Sequence, residues 1–132
     1  MKKILLDTNF LLIPYQFRVD IFSEIDKICN FNYEVYVLDK TIGELNGIIK
    51  NQSGKHEDAA KFALKSIEVK KIKIVKTEEG RVDDIIVKLA EKEGYIVATQ
   101  DKDLKRKLVN QGSVLMVLRQ KKTLAIMNQG LD

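Results

Sequence analysis

Apolar positions along the chain alternate between short continuous runs and runs spaced three or four apart, and this switching predicts strands alternating with helices. Ile4-Leu5-Leu6 is a short strand-like run that ends at Asp7. Between Val19 and Cys29, the residues Ile21, Phe22, Ile25 and Ile28 fall on one helical face. Val35 to Leu38 predicts a second strand, and Ile42, Leu45, Ile48 and Ile49 mark the helix that follows. After a polar loop from Asn51 to Gly54 the spacing predicts a helix over 56–68, then a strand from Ile72 to Val75. The clearest helix carries Val82, Ile85, Ile86, Leu89 and Ala90 as one stripe and stops at Gly94. Tyr95 to Ala98 is a strand, Asp101 to Val109 a short basic helix, Val114 to Leu118 a strand, and Thr123 to Met127 an added edge strand.

Strands that are nearly all apolar and alternate with helices predict an α/β fold, with a parallel sheet covered by helices on both faces. In such sheets the working groups collect where the strands end and the loops open. The acids follow that rule. Asp7 directly follows the first strand, and Glu44 lies in the first turns of the helix after the second. Asp83 and Asp84 open the helix after the third, and Asp101 and Asp103 follow the fourth. Each has an ordinary explanation as a turn residue, a cap or a partner of a helix dipole. An acid after four successive strands is a different matter. Carboxylates gathered at one edge repel, and their company calls for a hard cation such as Mg²⁺ or Mn²⁺.

Composition narrows the field. The 132 residues suit one domain, 1–132, and 45% hydrophobic with 32% charged residues is a globular balance. A single cysteine, Cys29, excludes an internal disulfide and a cysteine-rich zinc module. No apolar run reaches the roughly 18 residues of a membrane span, and the basic start is too short for a signal peptide, so a cytoplasmic protein without membrane contact is expected. The net charge of +4 is mild, but its distribution is uneven. From Lys102 to Lys122 seven basic residues face one acid, Asp103, and a second basic stretch runs from Lys65 to Lys76. Such runs are often plain solvated surface, and they also suit a polyanion. His56 is read as lying in a polar loop and is expected to face solvent. Gly54-Lys55-His56 lacks the spacing of a phosphate-binding P-loop.

Leu6-Asp7-Thr8-Asn9-Phe10, Ile42-Gly43-Glu44-Leu45, Val82-Asp83-Asp84 and the run from Tyr95 to Arg106 resemble the PIN-domain ribonucleases in the family's order. Within that family they are most similar to the branch that processes small-subunit precursor ribosomal RNA. The resemblance implies a three-layer α/β/α sandwich on a mostly parallel sheet. It also implies a metal-dependent endonuclease of single-stranded RNA, leaving 5′-phosphate and 3′-hydroxyl ends. Carried across residue by residue, it makes Asp7, Glu44, Asp83, Asp101 and Asp103 the catalytic and metal-holding acids. Asp83 is preferred to its neighbour Asp84 because the family's acid stands seven residues before a small helix residue, here Ala90. Thr8, Asn9 and Thr99 match the polar neighbours that orient those acids, and a homodimer is expected. The chain lacks the basic N-terminal extension and the cysteine cluster of the eukaryotic processing enzymes, and so looks like a minimal archaeal version.

On this reading Lys102, Lys105, Arg106 and Lys107 hold RNA phosphates, with Arg106 suited to a bidentate contact. Two other readings stay open: the toxin ribonuclease of a toxin–antitoxin pair, with an antitoxin as partner, and an RNA-binding scaffold without turnover. A phosphoacceptor receiver domain would need a pair of acids after the first strand, and a haloacid-type phosphatase an acid at position 9. Only Asp7 stands at the first of these places, and Asn9 at the second.

Overall fold

In the computed structural model, which describes residues 1–128, the chain runs β1 (Lys2–Leu6), α1 (Thr8–Leu11), α2 (Ile13–Phe17), α3 (Ile21–Ile28), β2 (Tyr33–Leu38), α4 (Asp39–Asn51), α5 (Lys55–Val69), β3 (Lys73–Val75), α6 (Val82–Glu93), β4 (Ile96–Ala98), α7 (Lys102–Asn110), β5 (Leu115–Arg119) and β6 (Thr123–Met127). The last four residues, 129–132, which the expected domain includes, lie outside the described residues.

The strands form one sheet in the order β3-β2-β1-β4-β5-β6. All neighbours are parallel except β5 and β6, whose antiparallel pairing makes β6 the expected edge strand. From β1 the chain winds first to β2 and β3 and then returns to the far side of β1 to lay down β4 and β5. The reversal falls between β1 and β4, which are paired from Ile4 against Ile96 to Leu6 against Ala98. In doubly wound sheets the ligand crevice opens at this point, beyond the carboxyl ends of the two strands.

Successive strand residues point to opposite faces, so β1 feeds two cores at once. Ile4 and Leu6 join one cluster with Phe10, Ile25, Val37, Leu45 and Ala63, under α1 to α5. Leu5 joins the other with Ile86, Ala90, Val97, Leu104 and Leu108, under α6 and α7. The result is an α/β/α sandwich whose central strands are buried on both sides, as their uniform apolarity requires.

Four local features depart from the sequence expectation. Two short helices, α1 and α2, fill the stretch after Asp7, with Pro14 in the first turn of α2, where its missing N–H costs nothing. Helix α3 starts at Ile21, two residues after the expected start at Val19, because Asp20 caps it by accepting the Ser23 N–H at 3.1 Å. Helix α4 begins at Asp39, immediately beyond the strand. His56 lies in the first turn of α5 rather than in a loop, and it is exposed.

Candidate active site

Asp7 ends β1 at the reversal point, and its N–H still pairs with the Ala98 carbonyl of β4 at 2.9 Å. Its carboxylate caps α1 by accepting the Thr8 N–H on Oδ1 at 2.9 Å. The Thr99 hydroxyl donates to Oδ2 at 2.8 Å. Asp7 is buried, at 9% exposure. Burial raises its pKa above the ordinary 3.8, while the Thr99 hydroxyl and the Thr8 N–H hold it down; the negative charges of Glu44 and Asp83 add to the rise. Acids on α4 and α6 thus bear on the one that follows β1, although 37 and 39 positions separate the three in turn.

Glu44 is fixed from the Asp7 side. The Thr8 hydroxyl donates to Glu44 Oε1 at 2.9 Å, and its oxygen lies 3.0 Å from the hydroxyl of buried Thr41, one turn before Glu44 on α4. Asp83 is half-buried and Asp84 is exposed, as two adjacent residues on a helix must differ when one faces the sheet edge. Of the pair, only Asp83 bears on Asp7.

Asp101 belongs to the same edge through Thr99. The Thr99 oxygen accepts the Asp101 N–H at 3.0 Å while its hydroxyl reaches Asp7, so one completely buried side chain ties the Asp7 carboxylate to the backbone of Asp101. Asp101 Oδ1 caps α7 by accepting the Leu104 N–H at 2.9 Å. Asn9 anchors the loop after β4: its Oδ1 accepts the Gln100 N–H at 3.0 Å, and its carbonyl accepts from Gln100 Nε2 at 3.1 Å. Thr41 and Gln100 escape the sequence reading. Only the period of α4, which sets Thr41 three positions before Glu44, hints at the first.

Asp103 lies outside this group. Its side chain is 73% exposed and pairs with Arg106 at 3.4 Å, one turn along α7. Lys102, Arg106 and Lys107 are exposed and Lys105 half-buried, so α7 presents a cationic surface immediately beyond Asp101.

Among the described residues no three carboxylate, histidine or cysteine side chains already close around one point. The donor set nevertheless fits a hard divalent cation. Mg²⁺ keeps several waters and takes only one or two carboxylates directly, so it does not need a closed protein cage. Like charges in a buried setting, with no cation among the described residues bonded to Asp7 or Glu44, are what such an ion relieves.

A doubly wound sheet with carboxylates collected at its reversal point is the framework of a nuclease-type hydrolase. A family model described as PIN like domain matches residues 4–121, and the chain belongs to that family. Ribonuclease VapC4 of Methanocaldococcus jannaschii is 34% identical over 92% of this chain and 94% of its own length. Ribonuclease VapC9 of Archaeoglobus fulgidus is 33% identical over 88% of this chain and 82% of its own. Two solved structures share the fold at 18% identity: the PIN domain endonuclease Utp24, with a TM-score of 0.75 over 96% of this chain and 91% of that one, and a domain of a functionally unknown protein from Methanocaldococcus jannaschii, with a TM-score of 0.60 over 90% and 92%.

Proposed function

We propose that this chain is a divalent-metal-dependent endoribonuclease acting on single-stranded RNA at the carboxyl edge of its sheet. The observation that carries the reading is the buried Asp7 carboxylate at the reversal point, bonded to the Thr8 N–H and the Thr99 hydroxyl, with the Thr8 hydroxyl holding Glu44 beside it. Asp7, Glu44, Asp83 and Asp101 would hold Mg²⁺ or Mn²⁺, with Asp103 and Asp84 at the rim. The bound ions would activate water and neutralise charge on the scissile phosphate. Thr8 and Thr99 aim the carboxylates of Glu44 and Asp7, and Asn9 holds the loop that delivers Asp101. The single histidine, His56, is exposed in the first turn of α5 and makes none of the hydrogen bonds that hold Asp7 and Glu44. Lys102, Lys105, Arg106 and Lys107 would bind phosphates on either side of the cut. An unpaired strand suits the site because its backbone and bases are open on all sides.

Two biological settings fit this chemistry. The two relatives named VapC ribonucleases, at 34% and 33% identity, favour the toxin reading, in which a small antitoxin is the partner. The run from Tyr95 to Arg106 favours processing of precursor ribosomal RNA. Transcript-wide mapping of new 5′-phosphate ends after adding purified protein and Mn²⁺ tests both. Ends clustered in tRNA anticodon loops or messenger RNA support the toxin, and ends at the small-subunit boundary support processing. No new ends with Mn²⁺ would overturn the nuclease reading.

A further inference from the structure

One strand-end acid is missing from the set read from the sequence. Asp39 directly follows β2, yet its oxygens are turned to a loop rather than to the other acids. Oδ1 accepts from the Thr77 hydroxyl at 2.6 Å and from the Lys40 N–H at 2.8 Å, and Oδ2 accepts the Thr77 N–H at 3.1 Å. Lys40 completes the clasp: its Nζ donates to Thr77 Oγ1 at 2.8 Å and to the Glu78 carbonyl. Two adjacent residues at the start of α4 thereby grip two adjacent residues of the segment 76–81, which joins β3 to α6.

The two gripped elements carry two of the site acids. Glu44 stands five residues after Asp39, little more than one turn along α4, and Asp83 stands six residues after Thr77 in the first turn of α6. The segment between has little else to fix its path. None of its residues is buried, and Gly80, at a φ of 143°, adopts a conformation that side chains resist. Packing cannot define such a stretch, so hydrogen bonds must.

We propose that Asp39 is a positioning residue of the active site: by fastening Thr77 to the start of α4, it sets how far Asp83 stands from Glu44 and so the dimensions of the cation site around Asp7. Its oxygens are committed to Thr77 and Lys40, so it does not act as a ligand itself. The inference rests on the metal-dependent reading above, and its test separates the two.

The test compares the wild type with Asp39→Ala, with Thr77→Val, which removes the hydroxyl alone, and with Thr77→Ser, which keeps it. Hydrogen exchange of the α6 amides from Ile85 onward is measured without metal, Mn²⁺ affinity by calorimetry, and single-stranded RNA cleavage as kcat and KM. Thr77→Ser is expected to match the wild type. Asp39→Ala and Thr77→Val are expected to speed exchange at the start of α6, weaken Mn²⁺ binding by about 10- to 100-fold and lower kcat, as losses of groups that orient metal ligands do, with KM nearly unchanged. A lowered melting temperature with Mn²⁺ affinity and kcat intact would reduce the clasp to a structural role and overturn the proposal. Unchanged exchange at the start of α6 would overturn it as well, whether or not the protein binds metal. A wild type that binds no Mn²⁺ defeats the metal-dependent reading instead, and with it the claim on the cation site.

Discussion

The Thr99 hydroxyl donates to Asp7 Oδ2 at 2.8 Å across 92 positions of sequence, and Thr99 is wholly buried. The bond exists because β1 and β4 lie side by side, with Leu6 opposite Ala98, so the residues that follow each strand meet. A buried hydroxyl that serves a carboxylate on one side and the Asp101 N–H on the other cannot be removed without leaving both short of a partner.

Thr99→Val is therefore expected to lose about 2 kcal/mol of stability, within the range for hydrogen bonds to charged groups. Cleavage should fall by about 10- to 100-fold, since Asp7 loses the group that aims it. Thr99→Ser, which restores the hydroxyl, should recover most of both. Urea unfolding and cleavage assays on the two variants check this, and equal loss in Val and Ser would show that the methyl group, not the hydroxyl, matters.

Asp7→Asn should reduce cleavage by at least about 100-fold while leaving the fold intact. Its effect on stability depends on pH. The pKa of Asp7 is raised in the folded state, so folding is penalised once the group ionises. That penalty is absent below the unfolded value of 3.8, develops as pH rises toward the folded value, and is constant above it. At pH 7 without metal the Asn variant should melt higher than the wild type, and below 3.8 the advantage should vanish. Full activity in the pure variant would remove Asp7 from the site.

Metal should reverse that order. A cation bound only by the folded protein stabilises it by about 2.7 kcal/mol at a hundredfold excess over Kd. Adding Mn²⁺ should raise the melting temperature of the wild type and leave Asp7→Asn nearly unmoved, and a chelator should abolish the difference. Equal shifts in both proteins would mean that the metal binds elsewhere.

Within the acidic pair, Asp83→Asn should behave like Asp7→Asn, and Asp84→Asn should cost less than about threefold in kcat, as an exposed side chain that does not bear on Asp7. Parallel kinetics on the two variants decide it, and the reverse order would assign the role to Asp84.

The basic helix is tested by salt. Removing one cationic side chain that holds an RNA phosphate should flatten the log–log salt dependence of binding by about 0.7 for a single strand. Replacing Lys105 and Arg106 by Ala in an Asp7→Asn background should weaken RNA binding at low salt. Stability should change by less than about 1 kcal/mol, because the Arg106–Asp103 pair is solvent-exposed. An unchanged slope would direct the RNA elsewhere, for instance along Lys65 to Lys76.

Short continuous apolar runs and apolar spacings of three or four determined the elements, and the alternation of strand and helix determined the sheet type, because both follow from which side chains must leave water. The same logic marked Asp7, Glu44, Asp83 and Asp101, since each lies after a strand, in the loop or the opening turns of the helix that follows it. Helices α1 and α2 were not legible: a few residues each, they are held by packing of Phe10, Leu11 and Ile13 into the core rather than by local pattern. Nor could spacing distinguish Asp39 from Asp7, as both are acids directly after a strand. Only the folded chain decided that Asp7 bonds to Thr99 and feels the charges of Glu44 and Asp83 at the reversal point, while Asp39 is taken up by Thr77, 38 positions away. Burial and hydrogen bonding between distant segments depend on strand order, and strand order is a property of the whole sheet that no local run of residues contains.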